Sequence, residues 1–139
     1  VHYDDLDAMG MLHNARYPVL VERAISDFWS RYGVTMRDGR PSHPDGAIAV
    51  REMSVSYLSP VRESGAVEIR IWVERLGNTS ATYRFAVVSL DGHTVHAEGH
   101  RVVIKIDLAD GRPSPWSPQY TAVVEKELTG RSSAPPDEA

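Results

Sequence analysis

Three carboxylates, Asp4, Asp5 and Asp7, fall within four positions near the start of the chain, followed by Gly10 and the polar pair His13-Asn14. A helix-like apolar pattern begins at Tyr17. A carboxylate is ionised at neutral pH unless burial raises its pKa, so it can act as a nucleophile or take a proton from water. The first turn of a helix carries unpaired N–H groups and the positive end of a dipole, and both favour a developing oxyanion. An acid next to a helix start therefore joins a base or nucleophile to an electrophile clamp. Asp residues ahead of a helix are also common caps and loop solubilisers, and the residue types alone leave both readings open. The acids lack the glycine-turned pattern of a calcium loop, so no metal site is expected there. His96 and His100 would share one strand face and form a metal pair if no bulge intervened. Gly99 between them is expected to spoil that register, which makes them surface histidines.

The elements that must position these residues follow from periodicity. Tyr17, Leu20, Val21, Ala24, Ile25, Phe28 and Tyr32 mark one helical face, widened by Trp29. Pro18 must lie in the first turn, where its missing N–H costs nothing. The helix is expected to start near Asn14 to Arg16 and to stop at Gly33. Residues 35–46, rich in Gly, Pro, Asp and Arg, read as an exposed loop. From Ile48 the period changes to two. Met53, Val55 and Tyr57 alternate with serines up to Pro60, and Val67, Ile69, Ile71 and Val73 form a clean half-buried strand. Gly77-Asn78 turns into Tyr83, Phe85 and Val87, and Asp91-Gly92 is a hairpin signal before a strand over 94–106. Gly99 marks an expected bulge in that strand. A coil with Pro113, Pro115 and Pro118 precedes a short helix over 119–128. Val1 to Tyr3 reads as the end of a strand that begins upstream. One helix against one antiparallel sheet is an α+β layer arrangement. A single domain over 1–128 is expected, with a disordered tail over 129–139.

Composition narrows the classes. The 139 residues can bury a core without staples, and cysteine is absent, which removes disulfides, thiolate metal sites and cysteine nucleophiles together. A net charge of −4 argues against a nucleic-acid surface. No apolar run approaches the roughly 18 residues of a membrane span, and no signal peptide is visible. A cytoplasmic protein is the expectation.

Asp5, Asp7, Gly10, Asn14 and Tyr17 complete a segment of the type Asp-x-Asp-x-x-Gly-x-x-x-Asn-x-x-Tyr between a strand and the helix. Downstream stand Val55-Ser56-Tyr57-Leu58-Ser59-Pro60-Val61-Arg62, Val73-Glu74-Arg75-Leu76-Gly77-Asn78-Thr79-Ser80 and Ala97-Glu98-Gly99. In this order they resemble the hotdog-fold acyl-CoA thioesterases of the 4-hydroxybenzoyl-CoA thioesterase-like family, over residues 1–118. The resemblance implies an antiparallel β-sheet wrapped around one long central helix. It also implies hydrolysis of an aromatic or fatty acyl thioester to free acid and CoA. It assigns Asp7 as nucleophile or general base, Asp5 as its support, and backbone N–H near Asn14 as the oxyanion clamp. His13 would orient Asp7 or bond the substrate carbonyl. Many members carry His directly after the Gly and Asn two positions later, where this chain has Met11 and His13. Glu22, on the polar side of the helix, is the second choice of carboxylate.

Coenzyme A phosphates favour Arg forks and exposed N–H groups. The resemblance places such contacts at Arg75, Asn78, Thr79 and Ser80, with Arg62 nearby and Tyr17 at the helix start. Asn78 and Thr79 read equally well as turn residues. No cofactor is implied beyond coenzyme A as part of the substrate, and no metal. The implied partners are an acyl-CoA or acyl-carrier thioester and a second copy of the chain, as homodimer or homotetramer. A hotdog dehydratase and a non-catalytic acyl-thioester binder are the alternatives. The dehydratase would need a histidine base with a helix carboxylate, and the helix carries no fitting pair.

Overall fold

The computed structural model describes residues 16–37, 40–62 and 66–128. The strand expected at Val1 to Tyr3, the acids, and the 129–139 tail lie outside the described residues. Helix α1 (Tyr17–Ser30) holds Pro18 in its first turn and buries Tyr17, Val21, Ile25 and Trp29, spaced four apart. That spacing places them in one stripe, because residues four apart stack on the same helix face. The chain leaves through a turn closed by Gly33 at φ 81°, with Val34 N–H donating to the Trp29 carbonyl at 3.1 Å. The left-handed conformation suits glycine, and the helix ends where that residue promised.

Four antiparallel strands follow: β3 (Ile48–Tyr57), β4 (Glu68–Leu76), β5 (Ser80–Val88) and β6 (Val95–Lys105). A two-residue pair, β1 (Met36–Arg37) with β2 (Arg40–Pro41), precedes them. The main sheet runs β3-β6-β5-β4, so β3 sits beside the last strand and not beside β4. Ala81, Tyr83, Phe85 and Val87 of β5 are buried, and Val21, Ile25 and Trp29 of α1 join the first three of these in the main core. A second cluster joins Tyr17, Val61, Val87 and Ala97. After β6 the chain forms α2 (Pro118–Val123), capped by the Ser117 hydroxyl, and one π-helical turn over Val124–Leu128.

Two expectations are corrected. Residues 35–46 are not simply an exposed loop. They hold the β1–β2 pair and a 3₁₀ turn over Pro44–Gly46, and Asp45 within that turn is only 4% exposed. A short polar segment reads as loop because its partners, Lys105 and Ser117, are sixty or more positions away and invisible locally.

Gly99 is not a bulge. It pairs with Val55 on one side and Phe85 on the other in unbroken register. The irregularities lie instead between Val50 and Glu52, Val73 and Arg75, and Val87 and Val88. Glycine is required by close approach: a Cβ there would collide with the Ser54 carbonyl oxygen and stand 2.9 Å from Phe85 Cζ. Gly99→Ala should therefore lower stability by about 1–3 kcal/mol, the usual cost of overpacking. A fall in the urea midpoint at constant m-value checks this; an unchanged midpoint refutes the close-approach account.

With the register intact, His96 and His100 do share the outer face of β6. Each has its own partner, the Ser59 carbonyl at 3.1 Å and Glu52 Oε1 at 2.8 Å respectively. Four residues of strand separate them by about 13 Å, too far for one metal ion.

Candidate functional site

Asp7, His13 and Asn14 lie outside the described residues. The element they lead into is well defined. Arg16 stands at the N-cap of α1 without a capping bond from its side chain, and no acid occupies the first turn. The dipole at that end is therefore not offset by a carboxylate from the helix itself.

Tyr17, the first residue of α1, is 2% exposed and packs edge-on against Tyr57 at 5.1 Å. Burial pushes its phenol pKa up, partly offset by a backbone hydrogen bond with Val61. Its ring belongs to the core at the end of the sheet where β3 finishes and β4 starts. Arg62, beside Val61, is exposed at the same end, and Glu22 is exposed on α1.

Arg75, Asn78, Thr79 and Ser80 gather at the opposite end, around the β4–β5 turn. The irregularity between Val73 and Arg75 places Arg75 opposite Thr82 and leaves it exposed. The turn is tied down by its carbonyls. Asn78 accepts from Trp116 N–H at 3.1 Å, Thr79 from Lys105 N–H at 2.8 Å, and Ser80 from Trp116 Nε1 at 3.0 Å. Asn78 also borders a surface groove with Glu74 and Glu125 against α2. The structure thus brings four of the expected contacts together and leaves Tyr17 and Arg62 on the order of 25 Å away within one chain, the length of β4.

A second polar centre lies under the C-terminal half of α1. Asp45 accepts from Lys105 Nζ at 2.9 Å, from Ser117 N–H at 3.0 Å, and from the Ser117 hydroxyl. Lys105 also donates to the Pro115 carbonyl at 2.8 Å. Burial alone would raise the Asp45 pKa, but these hydrogen bonds and the ammonium outweigh it and hold the carboxyl below its ordinary value. Nearby, Trp29 Nε1 donates to the Tyr83 hydroxyl at 2.8 Å, and the Tyr83 and Tyr120 hydroxyls bond at 2.5 Å. Tyr120 is stacked between Trp29 and Trp116, with centroids 4.4 and 4.0 Å away.

Comparison with known proteins gives these features a family. The thioesterase superfamily model matches residues 9–110. The chain belongs to the thioesterase superfamily. Acyl-CoA thioester hydrolase YbgC of Escherichia coli O6:H1 is 26% identical over 113 residues, which is 81% of this chain and 82% of that protein. Among solved structures, the PA2801 protein of Pseudomonas aeruginosa is similar at a TM-score of 0.78 and 22% identity, over 89% of this chain and 92% of that one. A Thermus thermophilus thioesterase complexed with coenzyme A and Zn is similar at 0.73 and 24% identity, over 91% and 88%.

The fold of this thioesterase is accordingly the hotdog type, with a four-stranded antiparallel sheet and helices. The matched stretch covers Asn14, Tyr17, Arg62, Arg75 and Asn78 to Ser80 and begins two residues after Asp7. No helix among the described residues is long and apolar enough to cross a membrane. The polar centre around Asp45, Arg101 and Lys105 is absent from the sequence-based reading. A signal existed: the buried face of β6 runs Ala97, Gly99, Arg101, Val103, Lys105, and two cations on a core face break the binary pattern.

Proposed function

We propose that this thioesterase hydrolyses acyl-CoA thioesters, releasing an aromatic or fatty acid and free coenzyme A. Asp7 acts as nucleophile or general base, and backbone N–H groups at the start of α1, near Asn14, hold the oxyanion. In the base route, water loses a proton to Asp7 and its oxygen bonds to the acyl carbon. The C–S bond then breaks, and the thiolate leaves and takes up the proton. In the nucleophile route, Asp7 forms a mixed anhydride that water then hydrolyses. What supports this reading is superfamily membership together with a helix start whose first turn holds no acid.

Arg75, Asn78, Thr79 and Ser80 recognise the coenzyme A phosphates, with His13 orienting Asp7. Because this turn lies on the order of 25 Å from the start of α1 within one chain, the turn serving Asp7 comes from a second protomer. The exposed Val50, Tyr57 and Leu58, at 52%, 48% and 53%, lie on or beside β3, an edge strand of the sheet among the described residues, and suit such an assembly. The protein works in the cytoplasm.

Free-thiol release from a panel of aromatic and straight-chain acyl-CoAs tests the activity. Turnover of at least one substrate class is expected, and no turnover of any would overturn the reading. Asn14→Ala should cost little beside loss of Asp7, because the clamp is backbone; a fall as large as that for Asp7 would assign the Asn14 side chain a direct role.

A further inference from the structure

Of the two cations on the buried face of β6, Lys105 is accounted for by Asp45 and the Pro115 carbonyl. Arg101 is not. It is 7% exposed and has no hydrogen-bond or ion-pair partner among the described residues. In register it stands between Met53 of β3 and Tyr83 of β5. It borders a pocket of about 290 Å³ whose apolar walls are Ile25, Trp29, Val34, Ile48 and Val103. No buried side-chain nitrogen among the described residues lacks a partner, so the Arg101 guanidinium opens onto the pocket, where no described carboxylate meets it and an entering anion is favoured.

The pocket supplies a second donor. Tyr83 and Tyr120 both border it, and their two hydroxyl protons serve one mutual hydrogen bond, while the Trp29 N–H occupies an acceptor site on Tyr83. One phenol proton is therefore left over. Burial pushes the Tyr83 pKa up to about 12 and raises that of Tyr120 well above the usual range, so both phenols keep their protons. Two acids also border the pocket. Asp45 is committed to Lys105 and Ser117, and Asp27 is exposed on α1. Neither neutralises Arg101.

We propose that this pocket binds a small carboxylate with an apolar body, its oxygens on Arg101 and the free phenol proton and its body against Ile25, Val34 and Val103. The volume is at the small end for ligand pockets, which suits an anion the size of benzoate or hexanoate. The site lies beside the Trp29 end of α1, about 18 Å along the helix from Tyr17. It is separate from the proposed oxyanion clamp. Its occupant is a free carboxylic acid, because a distal carboxylate on a short acyl chain held at the clamp would fall well short of about 18 Å.

Melting temperature and tryptophan fluorescence of the full chain, titrated with benzoate, hexanoate and the neutral isostere benzamide at constant ionic strength, test the site. Either acid should stabilise saturably and perturb the tryptophan emission, with benzamide at least about tenfold weaker, as expected when a charged hydrogen bond is lost. Arg101→Met should lose about tenfold or more in affinity for the acids while melting, unliganded, no lower than wild type. Arg101→Lys, which keeps the charge without the fork, should bind with intermediate affinity. No saturable effect of either acid, equal binding of benzamide, or undiminished binding by Arg101→Met would each overturn the proposal. If Arg101→Met does not fold, Arg101→Lys and the benzoate–benzamide comparison decide it.

Discussion

Asp7→Asn is expected to lower kcat on acyl-CoA substrates by about 10²–10⁴-fold, the usual range for removing a positioned acid–base group. Asparagine keeps the size and the hydrogen-bonding oxygen but neither takes a proton from water nor attacks as an anion. Because the substitution leaves the proposed coenzyme A contacts at Arg75 to Ser80 in place, KM should change little. An equal drop in kcat and kcat/KM would mark an interaction made in the transition state alone. Asp5→Asn should do less, since the role proposed for it is support. Wild-type activity in Asp7→Asn would refute the assignment and direct attention to Glu22, the exposed carboxylate of α1.

Asp45→Asn is expected to destabilise the fold by about 3–5 kcal/mol, the cost of removing one partner from a buried ion pair. The Asp45 and Lys105 side chains are 1% and 8% exposed, and the amide would leave the ammonium with neutral oxygens alone, its counter-charge gone. The same carboxylate holds Ser117, whose hydroxyl caps α2. One substitution thus loosens the 3₁₀ turn, β6 and the C-terminal helix together. Asp45→Asn/Lys105→Met should recover much of the loss, because no charge is then left unpaired. Chemical denaturation of the three proteins measures this; a single variant within 1 kcal/mol of wild type, on the order of a surface pair, would contradict it.

The pH dependence follows with its sign. The Asp45 carboxyl titrates below its ordinary value in the folded protein. Its contribution is therefore fully present above the unfolded carboxylate pKa, near 3.8, and is lost as pH falls through the lower folded value. Wild type should lose stability across that acid window more steeply than Asp45→Asn. Parallel curves would show that the carboxylate contributes nothing specific.

The elements with strong periodic patterns were legible from the chain alone. Tyr17, Val21, Ile25 and Trp29 name the buried stripe of α1, and Gly77-Asn78 and Asp91-Gly92 mark the two hairpins of the sheet. Both signals are local, because side-chain period and turn chemistry depend only on neighbours in sequence. The family was legible for a related reason. The Asp-x-Asp-x-x-Gly segment, the Ser59-Pro60 stretch and the Gly77–Ser80 turn stand in order along the chain.

What required the tertiary structure was every relation between distant residues. The place of β3 beside β6, the intact register at Gly99, and the burial of Asp45 in a segment that reads as loop depend on pairings forty or more positions apart. A residue's cost of burial is set by its partners, and partners this remote leave no periodic trace. Asp45, Arg101 and Lys105 look like ordinary surface charges one at a time. Only packing shows that Asp45 and Lys105 neutralise each other and that Arg101 borders an apolar pocket with no counter-ion among the described residues.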